Sequence, residues 1–238
     1  MLSIPTALRL YHWLLSALAL GIALLTLYQL SQPTPTKPAY SMQASAPDTD
    51  ANTMQAFAEF LRESFNAPDE PTADPQWEAL LRYPIHVELW RDGHVIAQAA
   101  SSGNAPDVAL RQLKRAYEST RTNPFQPLHA DTMLLLTFFY QPQPLDMLSG
   151  EFAPLVNERI NPQTDGIFIR CRYALRFAPP HQWQRNQLPF NSTAAYIRHL
   201  LQQENCTLRE LEHTDAEIHK LTVNQWLQEH AKAPIRQP

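Results

Sequence analysis

Three arginines, Arg170, Arg172 and Arg176, punctuate "TDGIFIRCRYALRF", residues 164–177, a stretch that is otherwise largely apolar. A planar guanidinium grips a carboxylate or phosphate through two parallel hydrogen bonds, so a row of them along one edge would meet an anionic ligand or an acidic partner surface. The spacing supplies such a row. Ile167, Ile169, Cys171, Tyr173, Leu175 and Phe177 share one parity, while Arg170, Arg172, Ala174 and Arg176 share the other, as in a strand buried on one face. Asp165-Gly166 opens the stretch with a turn signal and Pro179-Pro180 closes it, which predicts a single strand of roughly ten residues. The plainer alternative is that the arginines simply solvate an outer face.

Other candidate groups cluster around this stretch. Asp165, with Arg170 beyond it, is placed to line a pocket at the strand's start, although Asp-Gly pairs commonly serve only as turns. His181 and Trp183, after the double proline, would set a titratable ring beside an aromatic face. Cys171 is on the core-facing parity and Cys206 follows a predicted helix that packs on that face, so the two either form a disulfide in an oxidising compartment or remain separate thiols.

Composition removes whole classes of function. The chain has 238 residues and a formal charge of -4, with no Lys/Arg block, which argues against a nucleic-acid partner. Its glycines, at 21, 93, 103, 150 and 166, are too scattered for a phosphate-cradling loop or a dinucleotide fingerprint. No histidine has a histidine four residues on, and the two cysteines lie far apart, so the common zinc spacings are absent. No metal and no cofactor is expected.

The elements that position these residues begin with an address. "LYHWLLSALALGIALLTLYQL", residues 10–30, is free of acidic, lysine and arginine side chains and long enough to span a bilayer, with Tyr11, Trp13 and Tyr28 near its ends. It reads as an uncleaved signal anchor. Arg9 before it and Lys37 after it give a thin positive-inside bias, placing residues 1–9 in the cytoplasm and the rest outside. In a bacterial cell that is a single-pass inner-membrane protein with its body in the periplasm. Residues 31–52 form a Pro/Ser/Thr-rich tether, and 53–238 form the body.

The body opens with an amphipathic helix carrying Met54, Phe57, Ala58, Leu61 and Phe65, which stops near Pro68, and a short helix follows through "PQWEALL". "YPIHVELWRDGHVIAQAA" reads as a hairpin turning at Asp92-Gly93. "NAPDVALRQLKRAYEST" is a helix capped by Asn104, with Val108, Leu113, Ala116 and Tyr117 on its inner side. "TMLLLTFFY" is a buried strand ended by "QPQP", and the arginine strand comes next. A helix capped by Ser192 then buries Ala195, Ile197, Leu200 and Leu201, and the apolar patch at 219–226 either closes the sheet or begins a last helix. This order indicates an α+β fold, a mainly antiparallel sheet packed with helices and preceded by one N-terminal transmembrane helix.

The layout resembles the AMME-syndrome candidate-protein family, protein A of the AmmeMemoRadiSam system. The likeness rests on "HVELWRDGHVIAQAA", "VALRQLKRAYES", "TMLLLTFFYQPQPL", "TDGIFIRCRYALRFAPPHQW" and "STAAYIRHLLQQENCTLREL", and spans roughly 83–226. The family's Leu-Arg-Gly-Cys-Ile-Gly stretch should fall at Val95–Ala100, where this chain reads "VIAQAA". The resemblance therefore implies a fold and carries no catalytic residue.

Two functions are expected to compete. One is a membrane-anchored extracytoplasmic interaction module that binds a partner protein or an anionic envelope component such as a polymer. The other is a divergent enzyme acting on an anionic cell-envelope substrate, with Arg170, Arg172, Arg176, Asp165 and His181 as the contacting residues in either case.

Overall fold

The chain divides after Tyr40 into two units, residues 1–40 and 41–238. The structure, a computed structural model, describes residues 42–103, 105–121, 128–129, 131–145, 152–171, 174–180, 190–208, 211 and 216–228. The apolar run 10–30 lies outside these, and among the described residues no helix is long and apolar enough to cross a membrane.

The described elements follow in the order α1 (Ala51–Asn66), a 3-10 turn (Pro75–Trp77), α2 (Glu78–Leu81), β1 (Ile85–Arg91), β2 (His94–Ser101), α3 (Pro106–Thr120), β3 (Met133–Pro144), α4 (Phe152–Arg159), β4 (Gly166–Cys171), β5 (Ala174–Ala178), α5 (Thr193–Gln203) and β6 (Ala216–Leu227). The fold is α+β with one antiparallel sheet, as the sequence indicates. Its strand order is β2-β1-β3-β6-β4-β5. The patch at 219–226 therefore belongs to a strand, and that strand sits in the middle of the sheet, paired to β3 and β4.

Local chemistry explains the boundaries. Asp50 caps α1 by accepting the Thr53 N–H at 2.7 Å, a bond that also holds its carboxyl below the ordinary aspartate range. The helix thus begins inside the predicted tether, and the tether's end touches the body: Gln141 N–H donates to the Gln43 carbonyl at 2.8 Å, and Pro47 is buried. The β1–β2 hairpin turns at Asp92 and Gly93, whose φ values of 52° and 76° suit the Asp-Gly pair. Helix α3 starts on Ala105 without a side-chain cap, while Asn104 lies outside the described residues. Val108, expected on its inner side, is exposed; Ala109, Leu110, Leu113, Lys114 and Tyr117 are the buried set. On α5, Ser192 caps as expected, and Ala195 is only half-buried because Ala194 and Tyr196 take the inner positions.

Strand β3 runs on through Pro142 and Pro144 instead of ending at Tyr140. Its pairing with β1 stops at Phe138, so beyond that point one side of β3 is an edge, where a proline sacrifices no ladder bond. A register shift between Tyr140 and Gln143, with Gln141 at φ 50°, absorbs the change.

The predicted ten-residue arginine strand is two strands. Cys171 pairs with Ala174, Arg170 with Leu175, Ile169 with Arg176 and Phe168 with Phe177, a hairpin whose connection is Arg172-Tyr173. Partners across an antiparallel pair share a face, so a two-residue connection exchanges odd and even positions between the strands. Arg170 and Arg176 consequently point to opposite faces, and no continuous stripe forms. Residues 172 and 173 themselves lie outside the described residues.

Two apolar clusters cover the outer face of the sheet. One joins Phe57, Leu61 and Phe65 of α1 and Leu110, Leu113 and Tyr117 of α3 to Val87, Leu89, Ala99 and Leu136. The other joins Val156 of α4 and Ile197, Leu200 and Leu201 of α5 to Ile167, Ile169 and Ile218. Arg62 ties the first cluster to the sheet, donating to the carbonyls of His129 and Thr132 and to Gln228 Oε1 at 2.7–2.8 Å.

A disulfide joins Cys171 at the end of β4 to Cys206 after α5, with Cα atoms 6.0 Å apart across 35 residues of chain. Closing a loop of that length removes about 3 to 4 kcal/mol of unfolded-state entropy. Reduction, or Cys171→Ser with Cys206→Ser, is expected to lower unfolding stability by that amount in a denaturant titration. Stability unchanged by reductant would show that the bridge does not constrain the body.

Candidate functional site

The inner face of the curled sheet is polar at both ends and aromatic between. Register places Phe139, Phe168 and Phe177 on this face, with ring centroids 5.4 Å apart for Phe139–Phe177 and 4.9 Å for Phe168–Phe177. Gly166 makes room for them, since a Cβ there would come within 2.8 Å of both the Phe139 ring and Val223. Arg170, Glu217 and His219 stand to one side of the rings. Arg170 pairs with Glu217, and His219 Nε2 lies 3.4 Å from the other Glu217 oxygen.

His86 and Glu88 occupy the same inner face on β1. They are 4% and 1% exposed, an extreme burial for titratable side chains, with His86 Nδ1 3.9 Å from Glu88 Oε1. The Trp90 indole donates to Glu88 Oε2 at 3.0 Å. This row was legible as one strand parity but gave no sign of leading to an opening.

The opening is a cleft of about 490 Å³, a volume usual for small-ligand sites. His86 contributes to its wall, residues 98–102 of β2 and the following turn form one side with Gln112, Ala116 and Thr120 of α3, and residues 175–177 of β5 form the other. The two edge strands of the sheet thus share one cleft, which leaves the barrel almost closed.

Helix α3 covers part of the β2 edge. Thr120 Oγ1 accepts the Gln98 N–H at 2.9 Å and donates back to the Gln98 carbonyl. Gln112 Oε1 accepts the Ser102 N–H at 3.0 Å and its hydroxyl at 3.1 Å. Backbone groups on an edge strand point outward at every second residue, so Ala100, between these two capped positions, also aims its N–H and C=O away from β1. Among the described residues no side chain caps Ala100.

Each residue proposed from sequence has a definite place or lies outside the description. Arg170 sits on the inner face with Glu217, whereas Arg176, on the opposite face, donates to Glu204 Oε1 at 2.8 Å and also borders the cleft. Asp165 accepts the Asn161 N–H at 2.8 Å and pairs with Lys220 at 3.1 Å. Lys220 and Glu217 lie on opposite faces of β6, so Asp165 and Arg170 line no common pocket. Arg172, His181 and Trp183 lie outside the described residues. His86, Gln98, Gln112 and Thr120 were missed as a group, since only the fold brings β2, α3 and β5 together.

No family model matches the chain, and no curated protein matches it. Among solved structures, the crystal structure of an uncharacterized protein, PH0010, from Pyrococcus horikoshii is similar to 77% of this chain and 91% of its own, at 14% identity and a TM-score of 0.49.

Burial lowers the His219 pKa below its ordinary 6.5, outweighing the hydrogen bond and charge of Glu217, which pull upward, while Arg170 adds to the depression. Its Nδ1 is buried without a hydrogen-bond partner among the described residues, where a proton would go unmet. Folding therefore favours the neutral ring. The stability this provides is complete above the unfolded value of 6.5 and is lost as pH falls through 6.5 toward the lower folded pKa. Denaturant titrations of the protein and of His219→Gln should show this slope in the first and its loss in the second. Identical pH profiles would contradict the assignment.

Proposed function

We propose that the chain is a membrane-anchored extracytoplasmic interaction module, held by residues 10–30 and engaging a partner protein of the cell envelope through the cleft between β2 and β5. The cleft carries this reading: both edge strands of the sheet border it, next to the buried His86 and Glu88. The Cys171–Cys206 disulfide supports an oxidising compartment, in keeping with a single-pass inner-membrane protein whose body faces the periplasm. Descent from the AMME-syndrome candidate-protein family is proposed on the quoted stretches and their order, with no activity carried over.

The alternative, a divergent enzyme that grips an anionic envelope substrate through an arginine row, has less support. Arg170 and Arg176 face opposite sides of the sheet and each has a glutamate partner. The same pairing matches the charge of both arginines within the body, which disfavours an anionic polymer as the partner.

A photoreactive side chain at Leu175, exposed and bordering the cleft, tests the reading in intact cells. It is expected to give one discrete protein adduct that the same group at Val108, exposed on the first turn of α3, does not give. No adduct from Leu175, or the same adduct from both positions, would overturn it.

A further inference from the structure

We infer that the cleft binds a short, uncharged peptide segment in extended conformation, which pairs with the backbone of Ala100 and lies between β2 and β5 as a partial seventh strand. The inference rests on the module reading and adds what is recognised and how.

The first ground is the pattern of satisfied and unsatisfied backbone on β2. Thr120 takes both backbone groups of Gln98 and Gln112 takes the Ser102 N–H, so α3 protects the edge on either side of Ala100 and leaves one donor and one acceptor between. A single residue of an extended chain presents the complementary pair, C=O and N–H, at the spacing of one strand position. A longer added strand would collide with the Thr120 and Gln112 side chains. Recognition is therefore short by construction.

The second ground is the far wall. Leu175, Arg176 and Phe177 of β5 border the cleft across from β2, so an extended segment lying along Ala100 would be flanked on its other side.

Charge decides the class of side chain. Arg176 is matched by Glu204 and His86 stands beside Glu88, so among the described residues the wall presents no unmatched charge to a ligand. Ala99, Ala100, Ala116, Leu175 and Phe177 supply apolar surface, while Gln98 and Gln112 supply amides. Small apolar or hydroxyl side chains fit this wall, and charged ones would be desolvated without compensation.

Proline substitution separates the two kinds of backbone position. At Ala100 the N–H has no partner in the sheet, so Ala100→Pro should fold, as proline is tolerated where an edge N–H faces outward. At Ala99 the N–H points toward β1, so Ala99→Pro should not. Full-length protein in detergent micelles is titrated with the capped tetrapeptide acetyl-Val-Thr-Val-Thr-amide, following the heat of binding. Saturable binding is expected, weakened about tenfold or more by Ala100→Pro, which loses the donor and gains a ring in the site. Leu175→Glu, a change at an exposed position, should weaken it comparably. No saturable binding, undiminished binding by Ala100→Pro, or undiminished binding by Leu175→Glu would overturn the inference. So would unfolding of Ala100→Pro, which would mean that its N–H is already paired within the chain. Tetrapeptide binding without a Leu175 adduct in cells would leave the cleft chemistry standing and remove the module reading, whereas an adduct without tetrapeptide binding would remove this inference alone.

Discussion

A sheet that does not close must do something with the backbone groups on its two edges, and in this protein both edges border the same cleft. Unpaired N–H and C=O groups on an exposed edge invite association with any extended chain. Helix α3 limits that hazard on β2 with two side chains, Thr120 and Gln112, rather than with another strand. The placement of α3 is in turn fixed by Leu110, Leu113 and Tyr117 in the larger core and by buried Lys114, whose ammonium donates to the carbonyls of Ala67 and Asp69 after α1. Packing far from the cleft therefore determines how much of the edge is left open.

The opposite edge has a different support. Strand β5 hangs on β4 through a hairpin beside the disulfide, and the Arg176–Glu204 pair joins it to the end of α5. Both the covalent and the ionic tie link the β4–β5 hairpin to the same helix end. The cleft is thus bounded by two separately anchored walls, with the rings of Phe139, Phe168 and Phe177 filling the inner face beside it.

Much of this was legible in the residues. The Asp-Gly turn, the cap Ser192 and the 3.6-residue apolar period are local signals, and the elements they predict are present apart from small shifts at the ends. The β4–β5 hairpin was not legible, for a specific reason: Arg172-Tyr173 has neither glycine nor asparagine, and the alternation of apolar and polar residues runs on unbroken through it. The arginine stripe followed from that omission. Glu217 and Glu204, which neutralise Arg170 and Arg176, lie 47 and 28 residues away in sequence, so no local pattern could reveal them. The continuation of β3 through its prolines likewise depends on where β1 stops, a tertiary fact.

Ala100 is an open position between two covered ones, Gln98 and Ser102, on the β2 edge. Native-state amide hydrogen exchange of the unliganded protein measures this directly. The Ala100 amide is expected to exchange far faster than those of Gln98 and Ser102, held by Thr120 and Gln112, and than that of Ala99, held by β1. Protection at Ala100 equal to that of Ala99 would contradict this.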